Sequence, residues 1–256
     1  MLRIRIRPIS GWIPVALFLT LFPATLCGAQ ETAPPANDLH PAPQPGKVST
    51  AQTADRHGID VSHHQNDIDW TKVKAAGHSF VFIKATEGVD YTDPNFGSYW
   101  IGSKEAGLVR GAYHFFHPDD DAKTQAEFFI ATVTLQPGDL PPALDVEVAE
   151  GVSPAALIDD VKTWLDLVEA AYGVKPIIYS DLHFLQAEVT QNQLKDYPLW
   201  LADYTENTPE APGAWTDWTL WQFSRSGIVD GIDGEVDRTL FRGILEDWEA
   251  LLIPQK

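Results

Sequence analysis

Short apolar runs alternate along the chain with stretches of helical spacing. The strand candidates are Gly58–Val61, Phe80–Ala85, Val109–Phe116, Pro142–Val148, Lys175–Ser180, Leu199–Asp203, Thr219–Phe223 and Glu235–Asp237. Runs such as FVFI at 80–83 and PIIYS at 176–180 lack polar alternation, the mark of parallel strands covered by helices on the outside. The clearest helix opens at Ser153, a good N-cap, with Pro154 at its first position. Leu157, Val161, Trp164, Leu165 and Val168 recur at helical spacing, and Gly173 supplies a stop. Asn95–Ala106 and Asp121–Val133 are further helix candidates. Strands and helices alternating over roughly 200 residues predict an α/β fold: a single, somewhat irregular TIM-like β/α barrel with a cleft at the C-terminal strand ends. A doubly wound open sheet is the alternative. No glycine-rich phosphate loop follows the first strand, which weighs against a nucleotide-binding version of it.

The first residues stand apart from this pattern. Arg3, Arg5 and Arg7 precede an apolar stretch from Trp12 to Leu26, interrupted by Pro14 and Pro23 and followed by Cys27-Gly28-Ala29. This predicts an export signal over 1–29, cleaved after about Ala29. The stretch falls short of the ~20 apolar residues that span a bilayer, and Leu26 is too bulky to precede a lipidated cysteine. Residues 30–55, rich in Pro, Ala and small polar groups, read as a disordered tether. Residues 56–256 read as one domain with no internal repeat and no appended wall-binding module. The single cysteine leaves with the signal, so neither a disulfide nor thiolate chemistry is expected.

Charge narrows the partners. The whole chain carries −18, and the signal removes three arginines and no acids. So acidic a surface argues against nucleic acid and against anionic membranes. Any hold on an anionic polymer must therefore lie in the cleft.

Candidate chemistry centres on carboxylates. In ALDVEV, Asp145 and Glu147 fall on one face of a strand, with Cα atoms ~6.6 Å apart, while Leu144, Val146 and Val148 face the helical layer. Mutual repulsion and partial burial should raise one pKa, which suits a general acid for glycosidic cleavage. The structural alternative is an acid pair satisfied by Lys, Arg or backbone amides. In HGIDVSHHQ, Ile59 and Val61 pack outward and leave Asp60 and Ser62 inside; late in the chain Asp237 ends a short strand, with Asp233 and Glu235 competing candidates that parity does not rank. Acids at the ends of the first, fourth and last strands would converge at one barrel mouth. Tyr113, Tyr179, Trp200, Tyr204 and Trp221 offer flat faces for sugar rings, with core packing the competing explanation. Lys84, a lone cation on a buried strand, should pair with a site carboxylate. His63 and His64, as strand neighbours, would point to opposite faces, and no HExxH or cysteine pair is present, so no metal and no cofactor are expected. The absence of a GxSxG elbow weighs against a serine triad.

Taken in order, HGIDVSHHQNDIDW, FVFIKATEGVDYTDPNF, GAYHFFHP, PALDVE, PIIYS, LWLADY, LWQFS and GIDGEVDRTLF resemble the signatures of glycoside hydrolase family 25, the Chalaropsis-type lysozymes or N-acetylmuramidases. The resemblance spans residues 57 to 243. It implies a flattened β/α barrel that hydrolyses the β-1,4 bond between N-acetylmuramic acid and N-acetylglucosamine. It further implies Glu147 as general acid, Asp145 as its helper, and Asp60 and Asp237 as supporting acids, with Arg238-Thr239 departing from the usual neighbours of Asp237. Tyr113, Tyr179, Trp200 and Gln222 look similar to cleft-lining positions. The expected whole is an exported monomer, periplasmic or extracellular, acting on peptidoglycan glycan strands. A non-catalytic glycan-binding protein, a hydrolase of other acetamido sugars such as chitin, and an exported interaction protein on a barrel scaffold are the alternatives.

Overall fold

The structure, a computed structural model, describes residues 55–189, 192–213 and 215–255. The expected signal, and the tether except Asp55, lie outside them. Among the described residues are nine strands: β1 Arg56–Val61, β2 Phe80–Glu87, β3 Tyr91–Thr92, β4 Val109–Phe115, β5 Ala143–Asp145, β6 Ile177–Asp181, β7 Leu199–Ala202, β8 Leu220–Ile228 and β9 Glu235–Phe241. Six helices accompany them: α1 Trp70–Ala75, α2 Phe96–Glu105, α3 Ala122–Thr132, α4 Pro154–Tyr172, α5 Leu182–Glu188 and α6 Leu245–Leu251. Strand order is β1-β9-β8-β7-β6-β5-β4-β2-β3, and a β1–β2 pairing closes the ring. Because β3 pairs only with β2, the ring is an eight-stranded closed barrel.

Parallel pairing runs from β1 through β2, β4, β5, β6 and β7 to β8. The exception is β9, which lies antiparallel between β8 and β1. Glu235–Asp237, expected as a short strand with Asp237 at its end, is instead a strand running to Phe241, with Asp237 near its start. A hairpin from β8 reverses the chain direction, so the beginning of β9 reaches the same mouth as the ends of its parallel neighbours.

Alternation sorts the side chains. Phe80, Phe82, Ala143, Ile177, Tyr179, Trp200, Leu220 and Phe241 fill the barrel, whereas Ile59, Val61, Leu144 and Val146 join the layer under the helices. Two glycines make room for the large rings. A Cβ on Gly58 would come within 2.2 Å of the Phe80 ring, and one on Gly111 within 2.5 Å of Phe82. With both bare, Phe82 stacks on Trp200 at 4.4 Å between centroids. Trp221 belongs to the outer layer beside Trp218 and Phe223, not to the sugar-facing set.

Helix signals acted as read. Ser153 caps α4 through the Ala156 amide, Pro154 opens it, and Gly173 closes it at φ 74°. Asp121 caps α3 through Thr124, and Asn95 precedes α2. His63 and His64 are not strand neighbours. They sit on a 3-10 turn, His63–Gln65, whose amide is capped by Ser62, and their rings approach to 4.0 Å. Among the described residues no helix is long and apolar enough to cross a membrane.

Candidate active site

One pocket of about 340 Å³ opens on the barrel and is walled by Asp60, Asp145, Glu147 and Asp237 together. Four acids far apart in sequence are thereby brought to a single opening. Asp60 lies near the end of β1 and faces Asp237 of β9 as its register partner, which puts their Cβ atoms ~4.5–5.5 Å apart. Asp145 is the last residue of β5, which is shorter than the expected Pro142–Val148. Glu147 stands two residues beyond, past a backbone bond from the Val146 amide to Tyr179 that extends the ladder one step. Its direction into the pocket therefore comes from the loop, not from strand alternation. Lys84, Tyr113, Tyr179, Trp200 and Tyr204 complete much of the wall.

Gln222, only 1% exposed, lies behind that wall and ties it together. Its Oε1 accepts from the Tyr179 hydroxyl at 2.9 Å and the Tyr204 hydroxyl at 2.7 Å. Its Nε2 donates to Asp60 at 3.0 Å and to Asp237 at 3.5 Å. Trp200 is chiefly a barrel-filling ring whose indole N–H donates to Thr239. Lys84 does not pair with Asp145 or Glu147: its Nζ bonds Glu87 at 2.5 Å, since both lie at the end of β2. It still acts on Asp145 through space.

Burial raises all four acids. Asp60 is pushed well up by burial and by the Asp237 charge, against the pull of its Gln222 bond. Asp237 is raised by burial, while its bond to Asp60 and the Arg225 guanidinium hold it back. The two acids therefore titrate together and not independently. Asp145 is pushed well up by burial and by Glu147, with Lys84 opposing. Glu147 is accessible through the mouth but crowded enough by protein to be raised. The Tyr179 hydroxyl draws it down, and Asp181 and Asp237 push it up. The Asp145 Oδ1 is buried without a hydrogen-bond partner. Burial, then Asp60 and Asp145, keep the Tyr113 hydroxyl protonated, so it remains a donor.

The sequence reading missed Arg225, which lines the pocket from β8. Alternation from Gln222 would place residue 224 inside, but register shifts between Gln222, Ser224 and Gly227 reset the parity. It also missed the bridge in which His117 holds Glu87 at 3.0 Å and Glu150 at 2.9 Å, which depends on loops meeting. His117, Asp119 and Glu150 present possible ligand atoms within 4.8 Å of one another. Both His117 nitrogens are already engaged, so a cation would have to displace those bonds.

A barrel mouth holding carboxyls of raised pKa beside aromatic faces has the composition of a glycoside hydrolase site. Comparison with known proteins makes the family specific. The sequence profile of glycosyl hydrolases family 25 matches residues 59–232. Over 201 residues the chain is 42% identical to YegX, an uncharacterized protein of Escherichia coli (strain K12), covering 77% of this chain and 73% of that one. It is 32% identical over 268 residues to Lysozyme M1 of Streptomyces globisporus, covering 92% and 90% of the two chains. The fold superposes on the bacterial lysozyme from Streptomyces coelicolor with a TM-score of 0.73 and 33% identity, over 77% of this chain and 96% of that one. The chain belongs to glycosyl hydrolases family 25 and is a glycoside hydrolase.

Proposed function

We propose that the protein is an exported muramidase that cleaves peptidoglycan glycan strands at the β-1,4 bond between N-acetylmuramic acid and N-acetylglucosamine. Residues 56–256 form its catalytic domain as a TIM-like barrel, with the pocket at the strand ends serving as substrate cleft. The signal at 1–29 directs it to the periplasm or beyond, where it works as a monomer free of the membrane after signal cleavage.

One observation carries the mechanism: a solvent-reachable Glu147 of raised pKa stands two residues from a buried Asp145 whose Oδ1 lacks a donor. Glu147 protonates the leaving glycosidic oxygen. An acetamido N–H on the sugar would give Asp145 Oδ1 its missing bond and favour its anion. By repulsion, that anion keeps the proton on Glu147 until transfer. Asp145 then orients the acetamido oxygen toward the anomeric carbon or stabilises the positive charge there. Asp60 and Asp237, both bonded to Gln222, hold the opposite wall. Tyr113 donates into the site, and the exposed Tyr204 ring receives a sugar, with the buried Tyr179 and Trp200 forming the floor beneath.

The test is digestion of purified peptidoglycan with mass analysis of the new reducing ends. Muramic acid ends are expected. N-acetylglucosamine ends, or turnover of chitin alone, would overturn the bond assignment. Glu147→Gln should lose muropeptide release yet still bind the glycan; a wild type that binds without releasing fragments would identify a non-catalytic glycan-binding protein.

A further inference from the structure

Two cations line the pocket, Lys84 and Arg225, and they differ in what holds them. The Lys84 side chain is 13% exposed, is bonded to Glu87, and rests over the Phe115 ring at 5.0 Å. Arg225 is exposed, and among the described residues it makes no ion pair. Its guanidinium lies 5.3 Å from the centre of the Tyr204 ring, a cation–π contact that keeps it at the mouth. Tyr204 is in turn anchored to Gln222 through its hydroxyl. A guanidinium already positioned in this way loses little further freedom when it binds.

The surroundings say what it would bind. Four carboxyls share the opening, and the chain carries −18 overall. Lys84 is tied to Glu87, so Arg225 is the pocket-lining cation left to meet an anionic group entering with the substrate. The planar fork of a guanidinium matches a carboxylate in two parallel hydrogen bonds. Neutral acetamido sugars offer no such group. Muramic acid carries a lactyl carboxyl, and its peptide stem carries others.

We infer that Arg225 is a specificity-determining residue that binds a carboxylate borne by the glycan or by its attached peptide. This rests on the muramidase reading above and adds that the enzyme selects for the acid group.

The experiment compares four substrates: peptide-bearing peptidoglycan, the same glycan with peptides removed to free the lactyl carboxyl, and each of these with its carboxyls capped as neutral amides. Wild type should favour an uncapped form by about tenfold in kcat/KM, expressed in KM. Arg225→Gln should erase that preference and Arg225→Lys should retain part of it. Whichever uncapped form shows the preference identifies the source of the carboxylate. An equal preference in wild type and Arg225→Gln, or none in wild type, overturns the proposal. If wild type cleaves none of the four, the muramidase reading fails separately. Calorimetric binding of the same glycans to Glu147→Gln, with and without Arg225→Gln, then decides the Arg225 proposal without turnover.

Discussion

Gln222 joins both walls of the pocket by accepting from two tyrosines and donating to two aspartates. Replacing it with Leu leaves the Tyr179 and Tyr204 hydroxyls and the Asp60 carboxyl without that partner. A buried group stripped in this way costs on the order of 1–3 kcal/mol, so Gln222→Leu should lower stability by about 2 kcal/mol, read as a lower urea midpoint, and reduce kcat. Unchanged stability would mean that the amide is dispensable to the wall. For Glu147→Gln the expectation is a loss of ~10²–10⁴-fold in kcat, the usual worth of a general acid. More than a tenth of the wild-type rate remaining would remove Glu147 from that role. Asp145 was legible from local alternation in ALDVEV, whereas that alternation ends before Glu147, which a loop turns into the pocket. Lys84 was legible as a buried cation but not as the partner of Glu87, since that choice depends on where β2 ends.

At the scale of elements, α4 shows how far local chemistry reaches. Its N-cap, opening proline and left-handed stop all lie within the segment they bound. Ser153→Ala should cost about 1 kcal/mol, and Gly173→Ala, at φ 74°, roughly 1–2 kcal/mol. Denaturant titration of the two variants measures both; no loss at Gly173 would mean the helix end relaxes freely. The β8–β9 hairpin shows the opposite. Asp237 read as the end of a short strand because the apolar run TLF that follows it gives no sign of pairing direction. The hairpin from β8 makes β9 antiparallel, and its pairing with β1 sets Asp237 opposite Asp60 in the acid cluster. Gly58 is a case between these. Its bareness is visible in sequence, but the Phe80 ring 2.2 Å from its missing Cβ is not. Gly58→Ala should destabilise by about 1–3 kcal/mol through overpacking, read as a fall in Tm.

For the molecule as a whole, the acid cluster sets a pH dependence whose sign is fixed. Asp60, Asp145, Glu147 and Asp237 are all raised in the folded state, so the folded chain holds protons that the unfolded chain releases. The stability they contribute is full below ordinary carboxylate values and is lost as pH rises through the folded values. Asp60→Asn should therefore raise Tm at pH 7 by more than at pH 4, while lowering activity. An equal shift at both pH values would show that burial does not raise Asp60. His114 works in the other direction. Enclosed between Thr86 and Gln125, it is lowered by burial to about 4. Its contribution is present above the unfolded value near 6.5 and is lost as pH falls through about 4. Thermal scans of wild type and Asp60→Asn from pH 3.5 to 8 separate the two trends.

Alternation, helix spacing and caps depend on neighbours within a few residues, so the sequence alone marked the eight barrel strands and helices α2, α3 and α4, which strand faces turn inward, and that Asp60 and Asp145 share the inner face. Pairing partners, strand direction and loop paths depend on groups that meet only after the ring closes. Tertiary structure therefore decided that Asp237 reaches the mouth, that Glu147 is aimed by a loop, that Gln222 stands behind the wall, and that Arg225 enters the pocket through a shift in register.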